Sequence, residues 1–277
     1  MSNLLTPFVS IIIPIRNEGR NLTPCLENIA QQDYPPHYVE IIVVDAASTD
    51  DSCQKVLEFA TDHTYPAIQL IQEVRHNIAT GLNFGIRAAQ GDVVIRTDAR
   101  TRLSKDYIST CVSYLQAGKA DNVGGLMRPV GTNYVSKAYA LAAMSPFSAG
   151  DAKFRYSTKE QYVDTVYLGA FWRKLFDEIG FYDERLGSED FDLNYRLRRA
   201  GKKILLSPSI KSSYIPRDSL SALWRQYWVY GRARAYSLVR HPDSLRWRQL
   251  VAPLLILSLF GTLLLSLVVP LAIWLFI

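Results

Sequence analysis

Acidic side chains close several apolar runs of this sequence, and their placement suggests chemistry before any fold is assigned. Asp45 ends VEIIVVD, Asp98 ends DVVIRTD, and Pro14, Arg16 and Glu18 close the run that begins at Phe8. A carboxylate at a strand end can accept hydrogen bonds from a base or ribose, or it can cap the following helix. The AASTDDS that follows Asp45 suits both readings. Asp98 offers oxygen ligands to Mg2+ or Mn2+ facing a diphosphate, because hard cations prefer oxygen, although one Asp is a sparse metal site. Glu189 and Asp190 open a helical pattern in which Leu193, Leu197 and Ala200 share a face. The positive end of the helix dipole keeps a carboxylate there ionised, which suits it to take a proton from a hydroxyl. The same pair also reads as an N-cap.

These residues need elements to hold them. Apolar β-branched runs at 8–15, 39–45, 67–72, 92–98 and 122–127 alternate with helical patterns near 19–31, 51–62, 79–90 and 104–117. Strand and helix alternating in this way predict an α/β domain, a Rossmann-like and mostly parallel sheet covered on both faces. Ligands of such sheets bind beyond the carboxyl ends of the strands, where the acidic residues lie. No GxxxxGK[ST] is present and no GxGxxG follows the first run, which argues against P-loop and dinucleotide-dehydrogenase chemistry. Cys25, Cys53 and Cys111 are odd in number and widely spaced, the pattern of structural thiols in a reducing compartment.

Charge divides the 277 residues into three parts. Residues 1–195 carry 18 Lys and Arg against 24 Asp and Glu, whereas 196–248 carry 13 against Asp218 and Asp243 alone, and 249–277 carry none. The net +5 therefore averages an acidic body at −6, a basic collar at +11 and a neutral tail. The tail, QLVAPLLILSLFGTLLLSLVVPLAIWLFI, is expected to span a membrane, since roughly 20 apolar residues suffice. Arg232, Arg234, Arg240, Arg246 and Arg248 precede it and put the body on the cytoplasmic side. The first ten residues have no signal-peptide character. In 219–248, Leu220, Leu223, Trp224, Tyr227, Trp228 and Gly231 make one helical stripe, read as lying in the lipid interface beside arginines or as docked on the body. A membrane tail makes nucleic acid an improbable partner. The expected organisation is a catalytic domain at 1–218, a basic interfacial region at 219–248 and a transmembrane segment at 249–277.

In order and spacing, VSIIIPIRNE, IIVVDAASTDDS, NIATGLNFGIRAAQGDVVIRTDAR, GAFWRKLFDEIGFYDERLGSEDFDLNYRLRRAG and RQYWVYGRAR resemble the family 2 glycosyltransferases, from about Val9 to Gly231. Among these the bacterial succinoglycan-type exopolysaccharide glucosyltransferases, with carboxyl-terminal membrane helices, are similar. The resemblance implies the GT-A fold and an inverting transfer of a hexose, glucose, from a UDP-sugar to a polyprenyl-diphosphate-linked glycan at the bacterial inner membrane. It implies that Glu18 and Asp45 meet ribose and uracil, with Pro14 and Arg16 shaping that loop. It also implies that Asp98 faces the diphosphate and its Mg2+ or Mn2+, that Asp190 is the base beside Glu189, and that Arg225, Gln226, Tyr227 and Trp228 border donor and acceptor. Arg100 stands where the second Asp of the family's DxD belongs, and its guanidinium can bind diphosphate directly. Leu82 stands where many relatives carry Arg, leaving Arg75 as the candidate phosphate contact. QYWVY lacks the RW of QxxRW, which favours a single transfer over processive synthesis. Two other readings remain: transfer directly onto polyprenyl phosphate, and an inactive nucleotide-binding membrane scaffold.

Overall fold

The computed structural model describes residues 6–64, 66–75, 77–185, 189–245 and 248–266. The β-branched runs form the strands expected of them: β1 (Val9–Ile15), β2 (Val39–Asp45), β3 (Ala67–Gln72) and β4 (Val93–Arg96). Every residue of β2 is buried, as befits a strand covered on both faces. Further along lie β5 (Thr101–Leu103), β6 (Asn122–Pro129), β7 (Gln161–Tyr162), β8 (Tyr167–Trp172) and β9 (Ile204–Tyr214). They make one sheet in the order β3-β2-β1-β4-β8-β6-β9-β5, with β7 on β9.

The expectation of a mostly parallel sheet needs correction. The first four strands are parallel, but β8 runs antiparallel to both neighbours, β4 and β6, and β5 and β7 run antiparallel to β9. β8 enters through Leu168 and Gly169, both left-handed at φ 67° and 82°, a conformation that costs a side-chain-bearing residue roughly 1–2 kcal/mol. β6 breaks register at Gly124 and Gly125, where a Cβ on Gly125 would lie 1.9 Å from the Ile210 carbonyl oxygen. Backbone approaches this close exclude any larger residue.

Helices α1 (Gly19–Ala30), α2 (Ser52–Asp62), α3 (Ile78–Ala88) and α4 (Tyr107–Gln116) cover the sheet. Alternation along β1 divides the core: Ile11 and Ile13 pack with α1, α2 and α4 residues on one face, while Ile12 packs with Leu82 and Ile86 of α3 on the other. Each fully buried Ile contributes about 1.5–3 kcal/mol. Gly85 lets α3 come close, since a Cβ there would lie 2.4 Å from Ile12 Cγ2. After β6 come α5 (Tyr134–Met144), α6 (Pro146–Ala149), a 3-10 turn (Lys153–Arg155), α7 (Leu175–Ile179) and α8 (Glu189–Arg199).

Two compact units are present, Met1–Ala233 and Arg234–Ile277. In the first, the opening part of α9 (Leu220–Arg240) leaves Leu220, Trp224, Tyr227 and Trp228 exposed. The second holds α10 (Arg248–Ser266), whose Leu254, Leu257, Phe260 and Leu264 are also exposed. Among the described residues no helix is long and apolar enough to cross a membrane. The transmembrane helix expected at 249–277 is therefore not found, and its last residues, 267–277, lie outside the described ones.

Candidate active site

The loops after β1 and β2 are fastened to each other at the carboxyl edge of the sheet. Asn17 and Ala47 take left-handed φ of 54° and 53°. Asn17 N donates to Ser48 Oγ at 2.8 Å, and Asn17 Oδ1 accepts from Thr49 N at 2.7 Å. The first amide groups of α1 are capped from across this seam, Glu18 N by Ser52 Oγ at 3.0 Å and Gly19 N by Asp50 Oδ2 at 3.0 Å. Burial works against the Asp50 charge, yet hydrogen bonds from Ser52 and Gly19 hold its carboxyl below the usual range. Asp45 is buried at the end of β2. Its Oδ2 accepts from Ser48 N at 3.0 Å, its Oδ1 is buried without a hydrogen bond, and the Cys53 thiol lies beside it. A buried unpaired acceptor normally costs about 1–3 kcal/mol, and a donor group on a ligand would remove that cost. Pro14 is half-buried at the end of β1 and Arg16 is exposed on the loop.

Arg96, the last residue of β4, is buried and joins three carboxylates. Its Nη1 lies 2.5 Å from Asp190 Oδ1 and 3.4 Å from Glu189 Oε1, and its Nη2 lies 3.5 Å from Asp98 Oδ1. Burial alone would lower the affinity of this guanidinium for its proton, but Asp190, Asp98 and Glu189 hold it well above its ordinary value. The Asp190 carboxyl is pushed up to about 6, by burial first and then by the neighbouring Glu189 and Asp98 charges, with Arg96 opposing. Its side chain remains 43% exposed, so it faces open space while anchored from beneath. Tyr167, from β8, brings its hydroxyl to 3.5 Å from Asp98 Oδ2 and 2.7 Å from Thr101 Oγ1. Burial, reinforced by the Asp98 charge, keeps this phenol protonated.

Arg100 reaches back to α1, its Nε bonding Glu18 Oε1 at 2.9 Å and Oε2 at 3.1 Å. Glu18 also accepts from Asn21 Nδ2 at 2.7 Å. The expected nucleoside-binding carboxylate and the guanidinium in the DxD motif are thus one ion pair, and the Nη atoms of Arg100 are its remaining donors. Arg75 is likewise engaged, with Glu73 Oε1 at 3.0 Å, Glu184 Oε2 at 3.2 Å and the Phe84 ring beneath at 5.3 Å. As a phosphate contact it would have to leave two carboxylates. Of the expected acceptor-side residues, Arg225 and Trp228 are exposed, whereas Gln226 donates to Tyr230 Oη at 2.7 Å.

The segment before α8 is clamped by buried Asn83, whose Nδ2 donates to the Tyr182 carbonyl and to Glu184 Oε1, both at 2.9 Å, while its Oδ1 accepts from Tyr182 N at 3.0 Å. α8 places Glu189, Asp190 and Asp192 in its first turn and Arg196, Arg198 and Arg199 in its last, as the helix dipole favours. Gly187 and Ser188, which precede Glu189 in the sequence, lie outside the described residues.

Among the described residues no group of three His, Cys, Asp or Glu side chains forms a metal cage. Asp98 nonetheless fits a cation of the Mg2+ type, which binds through one or two carboxylates with substrate phosphates and water. Among the described residues its oxygens make two contacts, both at 3.5 Å, and its side chain is 33% exposed.

A GT-A-type α/β domain with carboxylates and guanidinium groups gathered at its strand ends is the architecture of a glycosyltransferase. The family model "Glycosyl transferase family 2" matches residues 10–180, and the chain belongs to that family. A Methanococcus voltae protein named dolichyl N-acetyl-alpha-D-glucosaminyl phosphate 3-beta-D-2,3-diacetamido-2,3-dideoxy-beta-D-glucuronosyltransferase is 29% identical over 87% of this chain and 77% of its own. The succinoglycan biosynthesis protein ExoA of Rhizobium meliloti (strain 1021) is 28% identical over 95% of this chain and 81% of its own. Among solved structures, mannosyltransferase PcManGT from Pyrobaculum calidifontis, with GDP-Man and Mn2+, aligns with TM-score 0.65 and 24% identity over 85% of this chain and 65% of its own. S. aureus TarS 1-349 with UDP-GlcNAc aligns with TM-score 0.59 and 17% identity over 76% of this chain and 59% of its own. The chain thus spans less than two thirds of either solved structure.

Arg96, Tyr167, Tyr182 and Glu184 escaped the reading of the sequence. Arg96 had a visible signal, a lone charge inside the apolar run DVVIRTD, two residues before the acidic position. Tyr182 and Glu184 lie within the segment that carries Glu189 and Asp190, and Tyr167 two residues before it, but none of the three stands at a motif position.

Proposed function

We propose that this glycosyltransferase moves a hexose, glucose, from UDP-glucose to a polyprenyl-diphosphate-linked glycan, with inversion at the anomeric carbon. The observation that carries this reading is the Arg96 hub, which holds Asp98 and Asp190 on one buried cation. Asp190 takes the proton of the acceptor hydroxyl as its oxygen forms a bond to C1. The bond from C1 to the diphosphate breaks on the opposite face, and UDP leaves with that electron pair. With its carboxyl at about 6, Asp190 is ionised at neutral pH yet more basic than an ordinary Asp, the poise a general base needs. Asp45 and Glu18 receive the nucleoside, and the Nη atoms of Arg100 meet the diphosphate. Mg2+ or Mn2+ would be held by Asp98 with donor phosphate oxygens and would supply neutralisation of the leaving group.

The lipid-linked acceptor is supported by the names of the two relatives, one acting on a dolichyl-linked sugar and one belonging to succinoglycan biosynthesis. Attachment to the cytoplasmic face of a bacterial inner membrane is supported by exposed Trp224 and Trp228, the basic 196–248 segment and the apolar 249–277 segment. The test is a screen of nucleotide sugars by UDP release, with and without chelator, on protein in detergent. Asp190→Asn is expected to bind UDP and not turn over; transfer retained in that variant removes Asp190 as the base.

A further inference from the structure

A second polar cluster lies where the Lys153–Arg155 turn meets α5, the end of β9 and the first part of α9, and nothing in the chemistry above uses it. Arg155 is half-buried, and among the described residues no carboxylate pairs with it. Its turn is fixed by Arg128, whose Nη1 donates to the Arg155 carbonyl at 2.7 Å. The Arg155 guanidinium lies 5.9 Å from the Phe154 ring centroid, and its Nη1 is 3.4 Å from Tyr139 Oη. The Tyr227 hydroxyl lies beside Tyr139. Tyr230 stands edge-on to Tyr227 with ring centroids 6.0 Å apart and accepts from Gln226. The Tyr227 hydroxyl is pushed up to about 12, by burial first and then by Tyr139, with Arg155 opposing. These phenols stay protonated and offer hydrogens, so the cluster presents one cation and several O–H donors.

The cluster adjoins the reacting centre. Phe154 stacks on Tyr167 at 6.1 Å, and the Tyr167 hydroxyl is the one that lies 3.5 Å from Asp98. Tyr230 is close enough to feel the Asp98 charge. A planar guanidinium flanked by hydroxyl donors recognises phosphate oxygens in pairs. The donor diphosphate is assigned above to Arg100 and to a cation on Asp98, which leaves Arg155 to a different anion.

We propose that Arg155, Tyr139, Tyr227 and Tyr230 form an anion subsite for the phosphate or diphosphate that joins the acceptor glycan to its lipid. This rests on the lipid-linked acceptor proposed above. It gives the acceptor hydroxyl its register: phosphate held at Arg155, sugar laid across Phe154 and Tyr167, hydroxyl delivered to Asp190.

The test uses the full chain in detergent and decyl diphosphate as probe, with inorganic diphosphate and UDP measured alongside. Arg155→Gln is expected to weaken decyl diphosphate binding at least tenfold and Tyr227→Phe severalfold, while UDP affinity changes less than twofold, which also reports that the variants fold. Lys137→Gln, removing an exposed charge from α5, should leave both unchanged. The subsite is overturned if wild-type protein does not bind decyl diphosphate, if Arg155→Gln binds it equally, or if UDP displaces it competitively. Weakening of UDP in parallel moves Arg155 to the donor side and overturns it as well. Inorganic diphosphate binding as tightly as the decyl form at Arg155 assigns the site to a free anion and overturns the lipid-linked source. Donor turnover is scored separately: if no nucleotide sugar is used but probe binding still depends on Arg155, the transfer reading fails and the subsite stands.

Discussion

Replacing Arg96 by Met removes the cation that, among the described residues, touches Asp190, while keeping an unbranched side chain of similar length. At about 4 Å between charge centres and an effective dielectric of about 20, each Arg96–carboxylate attraction is about 4 kcal/mol. Asp190 keeps 43% of its side chain in solvent, and halving for screening leaves about 2 kcal/mol, equivalent to about 1.5 pH units. The sign follows from charge: Arg96 favours the carboxylate, so its loss favours the acid. The Asp190 carboxyl, at about 6 in the native protein, would then titrate above 7, and roughly a quarter of the enzyme would hold an ionised base at pH 7. Titration alone lowers kcat about fourfold at that pH, and loosened placement of the base adds up to ~100-fold. The assay is UDP release at saturating donor and acceptor across pH 5 to 9. The acid limb is expected to move up by about 1.5 units in Arg96→Met, with partial recovery of kcat at high pH. Arg96→Lys retains the charge but not the fork, so its limb should stay in place while kcat falls. An unmoved limb in Arg96→Met, with kcat within threefold of wild type, refutes the hub.

Three other outcomes follow from the geometry. In the native enzyme kcat should rise with pH through about 6, because Asp190 must lose its proton, and then stay level to pH 8; an acid limb near 4 would show that burial does not tune this group. Arg100→Asp puts a second carboxylate near Asp98 and releases Glu18 from its 2.9 Å partner, so the Mn2+ concentration for half-activation should drop severalfold, and no change would mean that position 100 does not face the metal. Asn83→Leu leaves the Tyr182 carbonyl and amide without their bonds; at about 1–3 kcal/mol for each buried orphan a clear fall in melting temperature is expected, and an unchanged melt would show the clamp to be dispensable.

The parallel half of the domain was legible because its strands repeat one physical pattern, an aliphatic run ending in polar residues, buried on both faces in β1, β2 and β4 and partly exposed in β3 at the sheet edge. The positions of Asp45 and Asp98 follow from that pattern directly. β8 and β9 were not legible for the opposite reason. YLGAFW needs left-handed backbone at Leu168 and Gly169, and ILLSPSIKSSY is broken by Pro208 and serines, so neither has the periodicity of a strand. The pairing of Glu18 with Arg100 was hidden too, since it joins side chains 82 positions apart. Motif position assigned one to the nucleoside and the other to the diphosphate; the fold shows them in contact.

That contact alters the electrostatics expected of the donor site. Asp98, Glu189, Asp190 and Glu18 bring four negative charges to Arg96 and Arg100, the two guanidinium groups that bind them. With Asp190 ionised the group is two charges short of neutral before a donor arrives. A nucleoside diphosphate sugar adds about two more negative charges, and the desolvation of unbalanced charge at a cleft is costly. Arg100 cannot make up the difference, because Glu18 already offsets its charge. A divalent cation shared between Asp98 and the donor phosphates would offset the charge that the donor brings. The substitution of Arg for the second DxD carboxylate therefore does not by itself argue against a metal. It lowers the number of protein ligands while leaving the electrostatic need for the ion in place, which is why the expected consequence of Arg100→Asp is tighter metal binding and not the appearance of a new requirement.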